Sequence, residues 1–217
     1  MGIVFGKTGV AEPAFDVLLS RTSSTVPYEL RKYSMRYACE TKYSASSNND
    51  SAGFRALAGY IGVGTDPQNE GNKGISMTAP VVTEKSKGTA ISMTAPVVTD
   101  TVGDKMKKMA FILPVEYDSM EKIPKPTNPN VEIVEVPPSS GAVHTFSGKA
   151  GDAKAEAKKL IEQLKEDGVD INEKDAIENF QLWQFHPPFT IPMCRKNEVW
   201  IDLTEMQIND LTKKYQN

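Results

Sequence analysis

SASSNNDSAGFRALAGYIGVG, residues 44–64, decides how the chain is read. The Ser/Asn cluster at 44–50 offers helix caps. Phe54, Leu57, Ala58 and Ile61 follow at i, i+3, i+4 and i+7, one apolar helix face. Gly62 and Gly64 supply the stop. Before this helix, FDVLL (15–19), YELRKY (28–33) and MRYACETKY (35–43) read as strands. The last alternates Tyr37, Cys39 and Thr41 against Arg36, Ala38 and Glu40, a period of two. After the helix, ISMTAPVVT occurs at 75–83 and again at 91–99. Sixteen residues is too short a period for a solenoid unit, so the copies are expected as neighbouring parts of one sheet. Pro80 and Pro96 cannot donate to a ladder, and each is expected at a strand edge or bend. MKKMAFILP (106–114) is a further strand, and the Pro-rich EKIPKPTNPN (121–130) is a surface connection.

The second half repeats this order. VEIVEV (131–136) and AVHTFSG (142–148) read as strands, and Asp152 as the cap of a helix with Ala157, Leu160, Ile161 and Leu164 on one face. Gly168 ends that helix, and FQLWQFH (180–186) and EVWIDL (198–203) complete the sheet. Each half therefore reads strands, one amphipathic helix, then strands, although the halves share no convincing sequence identity. Two helices cannot cover an open sheet on both faces. The order predicts one α+β domain whose largely antiparallel sheet curves into a distorted barrel flanked by the two helices.

Composition excludes several classes. Of 217 residues 39% are hydrophobic and 24% charged, which fits a folded globule. The net charge of −3 and the absence of a polybasic block argue against a nucleic-acid partner. No apolar run approaches the roughly 20 residues of a membrane span. MGIVFGKTGVAEPAF (1–15) has no long apolar core of a secretory signal, and Gly6 stands where myristoylation needs Ser or Thr. Cys39 and Cys194 are the two cysteines, expected as free thiols in a reducing, cytoplasmic setting.

In order and spacing these segments resemble the SOUL haem-binding family. The residues that carry the resemblance are YELRKY (28–33), FRALAGYIGVG (54–64), both ISMTAPVV copies and FILP (111–114). VEIVEVPP…FSG (131–148) and FHPPFTIPMCRKNEVWIDL (185–203) add to it, the latter through Arg195 and NEVW (197–200). The resemblance spans about residues 12–204, which leaves 205–217 as a C-terminal tail. It implies a barrel with two flanking helices and a shallow apolar groove, between the first helix and the loop before the last strand, for haem or a related tetrapyrrole. It also implies likeness to bacterial effector-binding domains, which take up amphipathic cations.

On this reading Phe54, Leu57, Ala58 and Ile61 form one wall, with Leu57 and Ile61 turned inward and Phe54 and Ala58 nearer the groove. Phe185, Pro187, Pro188, Phe189, Ile191 and Met193 form the other. Any single helix-stripe position, read alone, is core; the greasy, proline-stiffened loop is harder to explain that way. His186 opens this loop and is the candidate axial ligand, against a loop-bracing role. His144 reads as structural. Some family members have a histidine where this chain has Lys32, a departure that weakens iron coordination by that route. Propionate partners are sparse: Arg195, Arg55 and Lys196 are the candidates, and Arg195 and Lys196 read equally as solvated residues. Met77 and Met93 fill core gaps. Glu198, in NEVW, is the carboxylate on which a hydrolase reading would depend, with Tyr60 as a possible partner. No P-loop, GxSxG, HExxH or CxxC occurs. The expected function is reversible tetrapyrrole binding as carrier, buffer or sensor. An effector-binding module or a hydrolase is the alternative.

Overall fold

The computed structural model describes residues 11–44, 50–85, 106–186 and 190–216. Its strands are β1 (Asp16–Arg21), β2 (Tyr28–Tyr33), β3 (Arg36–Ser44), β4 (Val81–Lys85), β5 (Met106–Ile112), β6 (Glu132–Val136), β7 (Ser139–Phe146), β8 (Gln181–Gln184) and β9 (Asn197–Asp202). The helices are α1 (Asp50–Ile61), α2 (Ala153–Glu166), α3 (Glu173–Asn179) and α4 (Glu205–Tyr215). The strands form one sheet in the order β1-β2-β7-β9-β8-β4-β5-β3-β6, every ladder antiparallel.

The pseudo-repeat is real and interlocked. Outward from the β4–β8 seam the order is β5-β3-β6 on one side and β9-β7-β2 on the other. The halves are thus β2-β3-α1-β4-β5 and β6-β7-α2-β8-β9, and each lends its first strand to the other. β1, α3 and α4 are additions. The sheet curls into a half-barrel. Tyr33 on β2 and Trp183 on β8 are three strand positions apart, ~14 Å along a flat sheet, yet their ring centroids are 5.2 Å apart. The face that carries them is therefore concave, and the helices lie on the other face.

Both expected helices end alike. Gly62 and Gly168 adopt φ of +86° and +95°, and the residue after each donates back to a carbonyl of the last turn: Val63 to Ala58 and Val169 to Leu164, both at 2.9 Å. This glycine-terminated cap satisfies carbonyls the helix leaves open. Asp152 is not the side-chain cap the sequence suggested. It is already helical, and its carboxylate accepts from the Lys149 N–H of the preceding 3-10 turn (3.1 Å). Pro80 lies immediately before β4, joined to Ala79 by a cis peptide bond, as expected of a residue at a strand end. The second ISMTAPVVT copy, with Met93 and Pro96, lies outside the described residues.

Residues 205–217, read from the sequence as a tail, need correction. Most of them form α4, which buries Ile208 and Leu211 in the core beneath α2. The overlooked signal was the capping box Thr204-x-x-Gln207, whose reciprocal bonds start the helix. Asp167, after α2, ties this region together. Its carboxylate accepts from Arg21 Nε (3.2 Å) and Nη2 (3.1 Å), Tyr28 Oη (2.6 Å) and Tyr215 Oη (3.0 Å). One carboxylate thus links β1, β2, α2 and α4.

Candidate functional site

The loop between β8 and β9 begins as a continued hairpin. Phe185 N–H donates to the Lys196 carbonyl (3.2 Å), and Lys196 N–H donates to His186 Nδ1 (2.9 Å). The Phe185 ring turns to the concave face, is buried beside Trp183 and Val82, and carries Lys196 Nζ 3.9 Å from its centroid. Pro187, Pro188 and Phe189 lie outside the described residues. The loop resumes at buried Thr190, whose carbonyl accepts from Arg195 Nε (2.8 Å). Pro192–Cys194 make a 3-10 turn, fastened by Gly148 N–H to the Pro192 carbonyl (3.1 Å). Ile191 is half-buried, but Met193 is 79% exposed. A braced loop that presents a thioether to solvent is not completing a core.

On α1, Leu57 and Ile61 are buried against the sheet with Cys39 and Phe111, facing inward as expected. Ala58, expected nearer the groove, is buried too. Phe54 is half-buried and meets Phe111 edge-on at 5.4 Å. Phe111 pairs with Val81, and Val81 pairs with Gln184, the residue before Phe185. Half-buried Phe54, Met77 and Val81 thus form a strip on the helix side that leads toward the loop. Phe185 does not join it, because it sits on the opposite face of the sheet. Arg55 and Lys32 are exposed.

The geometry bears directly on iron. His186 Nδ1 accepts a backbone N–H, so the neutral ring carries its proton on Nε2. Ligation through Nε2 would move that proton to Nδ1, opposite another N–H. His144 is structural: Nδ1 donates to the Pro27 carbonyl (2.6 Å), and Nε2 lies 3.4 Å from Glu156. No cluster of three or more His, Cys, Asp or Glu able to hold a metal occurs among the described residues.

Glu198 points to the concave face and is 0% exposed. Its carboxylate lies 3.0 Å from Arg31 Nη1 and 3.5 Å from Lys196 Nζ, and it accepts from Thr145 Oγ1 (3.3 Å). Arg31 also meets Glu29 (2.8 Å), and its guanidinium stacks 4.3 Å from the Phe15 ring centroid. Desolvation by burial would lower the Arg31 pKa, but Glu198 and Glu29 outweigh it and hold the guanidinium above its usual range. Tyr33, Trp183 and Trp200 enclose the group, the two indoles stacked at 5.4 Å. The sequence reading missed Arg31 and Tyr33, although alternation along YELRKY puts both on one face. Tyr60, the possible partner of Glu198, is on the helix side, where its hydroxyl donates to the Pro124 carbonyl (2.8 Å). Among the described residues, then, Glu198 is a fully buried carboxylate ion-paired to Arg31, and Tyr60 lies on the other face of the sheet.

A curled antiparallel half-barrel made of two exchanged strand-helix-strand halves defines a class of small α+β proteins. Solved structures of that fold include the EcmrR C-terminal domain, with TM-score 0.54, 9% identity, 83% of this chain and 98% of that one covered. A hydrolase from Listeria innocua aligns with TM-score 0.52 and 11% identity over 82% of this chain and 91% of that one. Identities this low establish the fold alone. Comparison with curated proteins gives no match. The chain belongs to the SOUL heme-binding protein family, whose sequence pattern matches residues 10–202. No helix among the described residues is long and apolar enough to cross a membrane.

Proposed function

We propose that the protein binds haem or a related tetrapyrrole reversibly, as carrier, buffer or sensor, through apolar contact on the β8–β9 loop. The observation that carries this reading is the exposed Met193 on a loop braced by hydrogen bonds, in a chain of a heme-binding family. Phe189, Ile191 and Met193 would meet the ring, with Phe54 at the end of the facing strip. Leu57, Ala58, Ile61 and Phe185 support these walls from within. Arg195 would meet a propionate. Burial of roughly 300 Å² of apolar surface is worth about 7 kcal/mol before association costs, which makes binding reversible and no tighter than the micromolar class without iron ligation. Two unpaired thiols fit a reducing, cytoplasmic setting.

The hydrolase alternative depends on an accessible Glu198, and here Arg31 occupies that carboxylate. Titration with haemin and with metal-free protoporphyrin tests the proposal. The two ligands should bind within about tenfold of each other, and His186→Ala should change haemin affinity by less than about 1 kcal/mol. Phe189→Asp should cost several kcal/mol by placing a charge in the apolar wall. Loss of haemin binding in His186→Ala with unchanged binding in Phe189→Asp would overturn the reading.

A further inference from the structure

The concave face is filled unequally by the two halves. Val82 on β4 and Trp183 on β8 are ladder partners across the seam. Next outward from them stand Ala110 and Glu198, and two residues further along those strands stand Ile112 and Trp200. The second half is therefore plugged by two indoles and an ion pair. The equivalent positions of the first half hold Val82, Ala110 and Ile112, and they leave a cleft of about 540 Å³. Its floor continues over Val134 and Val136 of β6. That volume lies within the usual range of small-molecule sites.

Besides Lys42 and Lys108, which flank Glu40, the cleft is lined by Arg36, whose guanidinium lies over the Tyr33 ring (4.6 Å) and meets no carboxylate among the described residues. Arg36, at the start of β3, donates through Nη1 to the Ser34 carbonyl (3.2 Å) and through Nη2 to Ser139 Oγ (3.4 Å), the second a long bond. Its Nε is buried without a partner. No carboxylate among the described residues lies within 4.0 Å of it, whereas Arg21 meets Asp167 and Arg31 meets Glu29 and Glu198. Desolvation outweighs the nearby Tyr33 and holds the Arg36 guanidinium below its ordinary range. Two of the carboxylates lining the cleft are engaged. Glu40 is bracketed by Lys42 (3.8 Å) and Lys108 (3.3 Å), and Asp202 accepts from Trp200 Nε1 (2.6 Å). Glu135 stands exposed at the rim.

We propose that this cleft is a second ligand site, which takes an amphipathic monocarboxylic acid with its carboxylate on Arg36 and its apolar body along Ile112, Ala110, Val82 and Val134. The planar guanidinium of Arg36 lines the cleft, and its N–H donors suit the oxygens of a carboxylate. A dianionic phosphate would meet the neighbouring carboxylates Glu40 and Asp202 with one more charge than Arg36 can balance. The site lies on the opposite sheet face from Phe54 and does not use the β8–β9 loop, so it stands apart from the proposed tetrapyrrole surface. A tetrapyrrole propionate has the same terminal chemistry, and the test separates the two.

The probe is 1-pyrenebutyrate, followed by its fluorescence, with uncharged 1-pyrenebutanol as comparator. Arg36→Gln should weaken the acid at least about fivefold and leave the alcohol within about twofold. Arg36→Lys should recover part of the loss, and Val134→Trp, which fills the floor, should weaken both probes. Phe189→Asp should leave both unchanged, and saturating pyrenebutyrate should not displace haemin. Absence of pyrenebutyrate binding at about 1 mM would overturn the proposal. So would equal effects of Arg36→Gln on acid and alcohol, or loss of the acid in Phe189→Asp rather than in Arg36→Gln. Failure of haemin to bind leaves these outcomes unaffected and counts only against the tetrapyrrole reading.

Discussion

Replacing Arg31 by Leu should destabilise the protein by about 3 kcal/mol, and replacing both Arg31 and Glu198 by Leu should restore most of the loss. The two charges are 7% and 0% exposed and 3.0 Å apart. Breaking such a pair from one side costs about 3–5 kcal/mol, because the remaining charge stays buried and uncompensated. Glu198 keeps Lys196 at 3.5 Å and the Thr145 hydroxyl, which puts Arg31→Leu at the lower end of that range. Arg31 keeps Glu29 at 2.8 Å, so Glu198→Leu should cost about 2–3 kcal/mol. Two leucines among Phe15, Tyr33 and Trp183 carry no unpaired charge, and the double variant should lie within about 1 kcal/mol of the parent. For a chain of this size each kcal/mol shifts Tm by about 2–4 °C, so the single variants should melt roughly 4–12 °C lower. Urea unfolding of the four proteins at pH 7 gives the coupling energy, expected at about 4–6 kcal/mol. Additive losses, with the double variant the least stable, would refute the view that Glu198 is held as half of an internal ion pair. They would reopen its reading as a working carboxylate.

Gly141→Ala should cost about 3 kcal/mol or more, because its Cβ would lie 2.4 Å from the Ile201 carbonyl oxygen and 2.7 Å from the Trp200 ring; urea midpoints within about 1 kcal/mol of the parent would contradict this. Asp167→Asn should cost about 2–3 kcal/mol at neutral pH. Desolvation alone would raise the Asp167 pKa, but bonds from Arg21, Tyr28 and Tyr215 outweigh it and hold the carboxyl below its ordinary value. Its contribution is therefore complete above the unfolded value of about 4 and is lost as pH falls through the lower folded value. Parent and variant should converge in that acid window, and a gap that widens there would reverse the sign of the argument. Thiol titration should find Cys194 reactive in the native protein and Cys39 only after unfolding, since Cys39 is fully buried and burial pushes its thiol up to about 12.

Local pattern alone determined the two principal helices and most of the strands. The 54/57/58/61 and 157/160/161/164 spacings marked α1 and α2, and Gly62 and Gly168 marked their ends, because apolar period and left-handed φ are properties of short segments. Strand alternation located β2, β3, β6, β7 and β9 for the same reason, and the repeated order of elements implied a curled sheet. Segment patterns do not name partners. That β2 pairs with β7 and β6 with β3, so the halves exchange strands, depends on residues about a hundred positions apart and was decided only in the assembled sheet. The tail at 205–217 became a helix because α2 and the sheet offered Ile208 and Leu211 a place to be buried. Ala58 went into the core because the whole inner side of α1 is covered, not only its stripe. Glu198 and Arg31 were each visible in the sequence as charged residues in strands. Only curvature brought strands two positions apart close enough to join the two charges and seal them. The same curvature left the small side chains of Ala110 and Val82 facing a cleft beside Arg36, since an empty volume belongs to no residue and exists only where several surfaces meet.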